Sequence, residues 1–105
     1  MDKEEVIGKL LKFADEINKH FILKKLILYG SYARGNQNNF SDIDVAVVVD
    51  KFNDNYFNDL KFLWQLGGDI DSRIEPVLFA DNKKDLSGFL EDIINHGTIV
   101  YSTSN

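Results

Sequence analysis

Two acidic residues two positions apart, Asp42 and Asp44, open a nearly all β-branched run that reaches Val49. In an extended strand residues two apart share a face, so both carboxylates point one way while Ile43, Val45, Val47 and Val49 point the other way, into a core. Two such charges ~5 Å apart, at an effective dielectric of ~20, repel by roughly 3 kcal/mol, and a bound cation reverses that sign. Carboxylate oxygens are hard ligands suited to Mg²⁺ or Mn²⁺. Two ions ~4 Å apart can activate an attacking hydroxyl and steady the leaving oxygen of an in-line displacement. Upstream, Gly30 permits close backbone approach and Ser31 offers an O–H and an N–H to a phosphate. Each fragment alone has a plainer reading: Ser41-Asp42 can cap a turn before a strand, and Gly-Ser after a strand is an ordinary turn. In this order, with the acids on a strand, the two halves ask for one ligand, a metal-bound triphosphate.

The surrounding pattern supplies elements that can hold these groups. Val6, Ile7, Leu10, Leu11, Ala14 and Ile17 recur at helical spacing, with Asp2 and Glu5 placed as a capping box, which predicts a first helix ending near Lys19. The apolar run closed by Gly30 predicts a strand from Leu23 to Tyr29, and Ile43 to Val49 a second one. Between them, Gly35-Asn36-Gln37-Asn38-Asn39 has the composition of a surface loop. Phe57, Leu60, Leu63 and Trp64 predict a helix with caps at Asn53 and Asp54, stopped by Gly67-Gly68, with Trp64 in the core. Ile74 to Phe79 reads as a strand that Pro76 places at an edge or a break in pairing. Leu86, Phe89, Leu90, Ile93 and Ile94 form a last apolar helical stripe, with Gly97 at C′ and a short strand from Thr98 to Tyr101 beyond. The order α-β-β-α-β-α-β predicts an α+β fold: a mixed sheet of about four strands flanked by about three helices.

Composition narrows the chemistry further. At 105 residues and 44% hydrophobic content the chain is expected to form one domain, residues 1–105, that carries the whole function. It has no cysteine, which removes disulfides, thiolate metal sites and thiol nucleophiles and fits a reducing cytoplasm. No apolar run approaches the ~20 residues of a membrane span, so a soluble, cytoplasmic protein is expected. The formal charge is −5 with Lys and Arg scattered, which disfavours direct binding to a nucleic-acid backbone. An acidic chain can still bind a polyphosphate when divalent cations stand between the two anions.

Leu28-Tyr29-Gly30-Ser31-Tyr32-Ala33-Arg34-Gly35 followed by Ser41-Asp42-Ile43-Asp44-Val45 resembles the signature of the DNA polymerase β-like nucleotidyltransferase superfamily. Ten residues separate Ser31 from Asp42, a spacing similar to that of its minimal nucleotidyltransferase branch, the antitoxin partners of HEPN toxins. The resemblance implies that Gly30 and Ser31 hold a nucleoside triphosphate, ATP above others, and that Asp42 and Asp44 bind two Mg²⁺ ions, with Mn²⁺ an alternative. It also implies a third acid on a later strand. Glu75 is the best positional match, to complete the metal site and help deprotonate the acceptor. Many relatives have Asp there, so Glu75 followed by Pro76 departs from their pattern. Arg34 fits either a phosphate contact or a solvated ion pair. Tyr32 fits packing under the turn, and Asp69 and Asp71 fit solvated turn positions. His20 and His96 sit at helix ends, where histidine meets free carbonyls.

The activity implied is transfer of a nucleoside monophosphate, AMP from ATP, onto an acceptor hydroxyl, with a tyrosine of a HEPN toxin ribonuclease as the acceptor that fits a small acidic chain. A binding module that neutralises a HEPN ribonuclease by contact, without transfer, is the competing reading. A drug-modifying transferase would call for a further helical domain. Self-association into a homo-oligomer is compatible with the sequence.

Overall fold

The computed structural model describes residues 2–37 and 41–103. Helix α1 (Lys3–Ile17) starts where the Asp2 side chain accepts a hydrogen bond from the Glu5 N–H at 2.9 Å, and buries Val6, Leu10, Phe13, Ala14 and Ile17. Strand β1 (Leu23–Tyr29) leads through Gly30 into a one-turn helix α2 (Ser31–Arg34), and β2 (Ile43–Val49) follows. Helix α3 (Tyr56–Ile70), strand β3 (Ile74–Ala80), helix α4 (Phe89–His96) and strand β4 (Thr98–Ser102) complete the order.

The strands form one sheet in the order β3-β2-β1-β4. β1 pairs antiparallel with β2 and with β4, while β2 and β3 run parallel, joined by α3 as the crossover. The mixed α+β sheet expected from the sequence is therefore present. Ile43, Val45, Val47 and Val49 pack with Leu26, Leu28, Leu63 and the buried stripe of α1 in the main core. On the opposite face a smaller cluster, Ile27, Ala46 and Ile93, joins α4 to the sheet. The alternation of neighbouring residues between these clusters is the two-residue period of the strands.

Several local expectations change. α1 ends at Ile17 rather than near Lys19. The helix α2 lies where only a turn is expected, because four residues are too few to show a period. α3 is capped by Asn55, whose side chain accepts from the Asn58 N–H at 2.9 Å, not by Asn53 or Asp54. It also runs through Gly67-Gly68 to Ile70. Glycine at 67 answers a packing need: a Cβ there would stand 2.9 Å from Ile74 Cγ2. Trp64 is 43% exposed, since its Nε1–H donates to the Pro76 carbonyl at 3.1 Å and holds the ring along the sheet edge instead of in the core. Pro76 does lie on the edge strand, where a missing N–H is tolerated. Leu86 precedes α4 and is 86% exposed. Gly97 is the C-cap of α4 in an extended conformation, not a left-handed C′ residue. Of the expected surface loop, Asn38 and Asn39 lie outside the described residues.

Candidate active site

Strand pairing builds the site. Asp44 sits opposite Tyr29 of β1 on one side and Glu75 of β3 on the other, so three side chains form a row across the face that also carries Ala46 and Ile27. Asp42, just before β2, brings its carboxyl within hydrogen-bonding reach of Glu75. The three acids named from the sequence therefore converge, although they come from two strands. Burial first, then the neighbouring Asp42 charge, push the Asp44 carboxyl above its ordinary range, while the Arg34 guanidinium acts in the opposite direction. Glu75 is also raised, by burial first, then by its hydrogen bond with Asp42 and by the charges of Asp42 and Asp44. Tyr29 is pushed up to about 12 by burial and by Asp44 and Glu75. It is a protonated phenol at neutral pH and no proton acceptor.

Gly30 follows the row at φ 74° and ψ −148°, a conformation that side chains with a Cβ avoid. A Cβ built there would run into Asp44 Oδ2 and stand 3.2 Å from Asp44 Cγ. Glycine thus lets the turn lie directly against the acid row. Ser31 opens α2, and the Arg34 N–H donates to the Gly30 carbonyl at 3.1 Å. Tyr32, fully buried in the main core, anchors that turn from below. Its hydroxyl has no partner among the described residues. Gly30, Ser31 and Arg34 are thereby brought beside Asp42, Asp44 and Glu75.

The acids form a row rather than a closed cage: among the described residues no three His, Asp or Glu side chains are arranged as a preformed metal site. Their chemistry nonetheless fits a hard divalent cation. The donors are all carboxylate oxygens, their charges already disfavour one another, and Mg²⁺ keeps waters and phosphate oxygens in its shell instead of demanding an all-protein cage.

A cleft of about 90 Å³ opens beside the row between the end of β1 and α4, lined by Tyr29, Gly30, Arg34, Phe89, Ile93 and His96 among others. Tyr29 and Phe89 meet edge to face with ring centroids 5.8 Å apart. Sequence reasoning missed Tyr29 and Phe89 as site residues. The tyrosine could have been found from its place just before Gly30, but its proximity to Asp44 depends on strand register. His96 behaves as expected at a helix end, with Nδ1 3.0 Å from the Asp92 carbonyl. His20 instead stacks edge-on against Phe62, centroids 4.7 Å apart. Asp69 is exposed within α3, whereas Asp71 is no solvated turn residue: it is ion-paired with Lys9 at 2.7 Å and Arg73 at 3.0 Å. Despite burial, the hydrogen bonds from Lys9 and Arg73 hold its carboxyl at about 2.

Similarity to known proteins identifies the family and the fold. A Methanocaldococcus jannaschii protein named "Putative protein adenylyltransferase" is 40% identical over 82 residues, covering 75% of this chain and 79% of its own. A toxin–antitoxin crystal structure with AMP-PNP superimposes with a TM-score of 0.69 at 25% identity, over 93% of this chain and 74% of that one. A putative nucleotidyltransferase from Sulfolobus solfataricus shares the fold, with a TM-score of 0.72 at 16% identity over 98% and 86% of the two chains. The family model described as polymerase beta, nucleotidyltransferase matches residues 11–105. No described helix is long and apolar enough to cross a membrane. The chain belongs to the polymerase β nucleotidyltransferase family.

Proposed function

We propose that this nucleotidyltransferase is Mg²⁺-dependent and transfers AMP from ATP to an acceptor hydroxyl, and that the acceptor is a tyrosine of a HEPN toxin, which makes the chain an antitoxin. The observation that carries the reading is the acid row of Asp42, Asp44 and Glu75 lying directly against the Gly30-Ser31 turn. The name of the Methanocaldococcus jannaschii relative supports a protein acceptor, and the toxin–antitoxin structure with AMP-PNP supports both an adenine nucleotide and a toxin partner.

In this reading Gly30 and Ser31 would hold the triphosphate, Ser31 offering an N–H and a hydroxyl, and Arg34 would add a cation on the cleft side. Asp42, Asp44 and Glu75 would hold the ions. When bound, these supply charge neutralisation along the triphosphate and lower the pKa of the acceptor hydroxyl. Glu75, which stands beside Asp44 in the strand pairing, would help take up the acceptor's proton. The acceptor oxygen forms a bond to the α-phosphorus, the bond from that phosphorus to the bridging oxygen breaks, and pyrophosphate leaves with the electron pair. Tyr29 stays protonated and forms a wall of the cleft.

The test is incubation of the purified chain with a candidate HEPN protein, Mg²⁺ and α-labelled ATP, beside the Asp42→Ala, Asp44→Ala double variant. Label on the partner that disappears in the variant is the expected result. Tight complex formation with no label would replace transfer with neutralisation by contact.

A further inference from the structure

Between α3 and β3, on the side of the sheet away from the cleft, three charged residues from two distant segments meet. Asp71 is the C-cap of α3, and its side chain is only 7% exposed. One carboxylate oxygen accepts from Lys9 of α1 at 2.7 Å and from an Arg73 guanidinium nitrogen at 3.0 Å. The other accepts from the Arg73 backbone N–H at 2.9 Å and from Arg73 Nε at 3.2 Å. The Asp71 carbonyl accepts from the Ile74 N–H at 3.1 Å, so the whole turn from 71 to 74 is tied at both backbone and side chain.

The turn matters because of what its next bond does. The Arg73 carbonyl accepts from the N–H of Ile43 at 2.8 Å, and Ile43 stands between Asp42 and Asp44. This contact opens the β2–β3 ladder and fixes the register in which Ile43 meets Ile74 and Asp44 meets Glu75. A slip of one residue would send Glu75 to the opposite face, away from the acid row. β3 is an edge strand paired on one side only, and Pro76 removes one backbone donor from it. Its register therefore leans on the turn that starts it more than a central strand would.

We propose that Asp71, clamped by Lys9 and Arg73, is a positioning residue that sets the register of β3 and so places Glu75 beside Asp42 and Asp44. The second D-x-D of the sequence then serves the site through Asp71 alone, from a distance and without touching a ligand. The consequence for metal binding rests on the proposed function; the register claim does not.

Two measurements on Asp71→Asn separate these levels. In amide hydrogen exchange, the variant is expected to lose at least about tenfold protection at Ile43 while Gly97, whose N–H donates to the Ile93 carbonyl at 2.7 Å beside the opposite edge strand, keeps its protection. Unchanged protection at Ile43, or an equal loss at both residues, would overturn the proposal whether or not the protein binds metal. In Mn²⁺ titration followed by water-proton relaxation, affinity is expected to fall about tenfold, the low end of what lost outer support costs a metal site. Asn18→Ala, which removes the unrelated bond from the Leu23 N–H to Asn18, serves as a control for loss of a hydrogen bond away from this turn and is expected to bind Mn²⁺ like the parent. Equal Mn²⁺ losses in both variants would reduce Asp71 to general stability. Failure of the parent to bind Mn²⁺ would count against the proposed function and leave the exchange result to decide the register claim.

Discussion

The two faces of this sheet are made by alternate residues of the same strands, yet they solve opposite problems. On the face covered by α1 and α3, Leu26, Leu28, Val45 and Val47 are fully buried against Leu10, Phe13 and Leu63. On the other, the same strands carry Tyr29, Asp44 and Glu75 in a row, with α4 covering the Ile27 and Ala46 end and reaching Tyr29 through Phe89. The first face supplies the apolar burial that stabilises the fold. The second gathers like charges that burial makes less comfortable. A sheet can carry such a row because the strands are already held from behind, so stability and reactivity are drawn from separate sets of residues.

Substitutions should separate the two faces. The largest effect on activity is expected for Asp42→Ala with Asp44→Ala: if the row holds metal as proposed, transfer falls by more than about 100-fold, since losing even outer support of a metal site costs ~10–100-fold. The melting temperature without metal should hold or rise, because two repelling charges leave. A scanning calorimetry trace showing marked destabilisation would break the separation. On the other face, Leu10→Ala should cost about 2–5 kcal/mol in urea unfolding, with transfer per folded molecule unchanged. Gly30→Ala crosses the boundary. Its Cβ meets Asp44 at a positive φ, so both stability and nucleotide affinity should fall, by about 1 kcal/mol or more for the backbone alone.

A smaller effect is expected in acid. The Asp71 carboxyl is held at about 2 in the folded protein against an ordinary value of 3.8, so the native state binds fewer protons than the unfolded one. Its contribution, about 2 kcal/mol, is fully present above pH 4 or so and is lost as pH falls toward 2. Asp71→Asn should therefore flatten the acid limb of a stability–pH curve and leave its neutral shape alone. The least effect is expected for Trp64→Phe, which removes one hydrogen bond to Pro76, about 1 kcal/mol by thermal unfolding, with no change in transfer.

Much of this comparison was legible in the residues themselves. The alternation of Ile43, Asp44, Val45 and Val47 states which side of β2 is core and which is acid, and Gly30-Ser31 ahead of it marks the turn proposed to hold the triphosphate. Fold class followed from the order of apolar periods. What pairing decides was harder to see. Tyr29 joins the site only because β1 meets β2 with Tyr29 opposite Asp44. Asp71 looked like a solvated turn residue because Lys9, which joins Arg73 in holding its carboxylate, lies 62 positions away. Gly67-Gly68 looked like a helix stop because local preference cannot anticipate that Ile74 needs the space of a missing side chain. Trp64 counted as core by its helical stripe, but its indole N–H needed an acceptor and found one at the sheet edge.

Calorimetric titration with ATP, with and without Mg²⁺, on the parent chain and on Asp42→Asn, Asp44→Asn tests most directly whether the acid face is a metal–triphosphate site. Binding to the parent that requires Mg²⁺ and disappears in the variant is the expected result. ATP binding of equal strength without Mg²⁺, or undiminished in the variant, would contradict it.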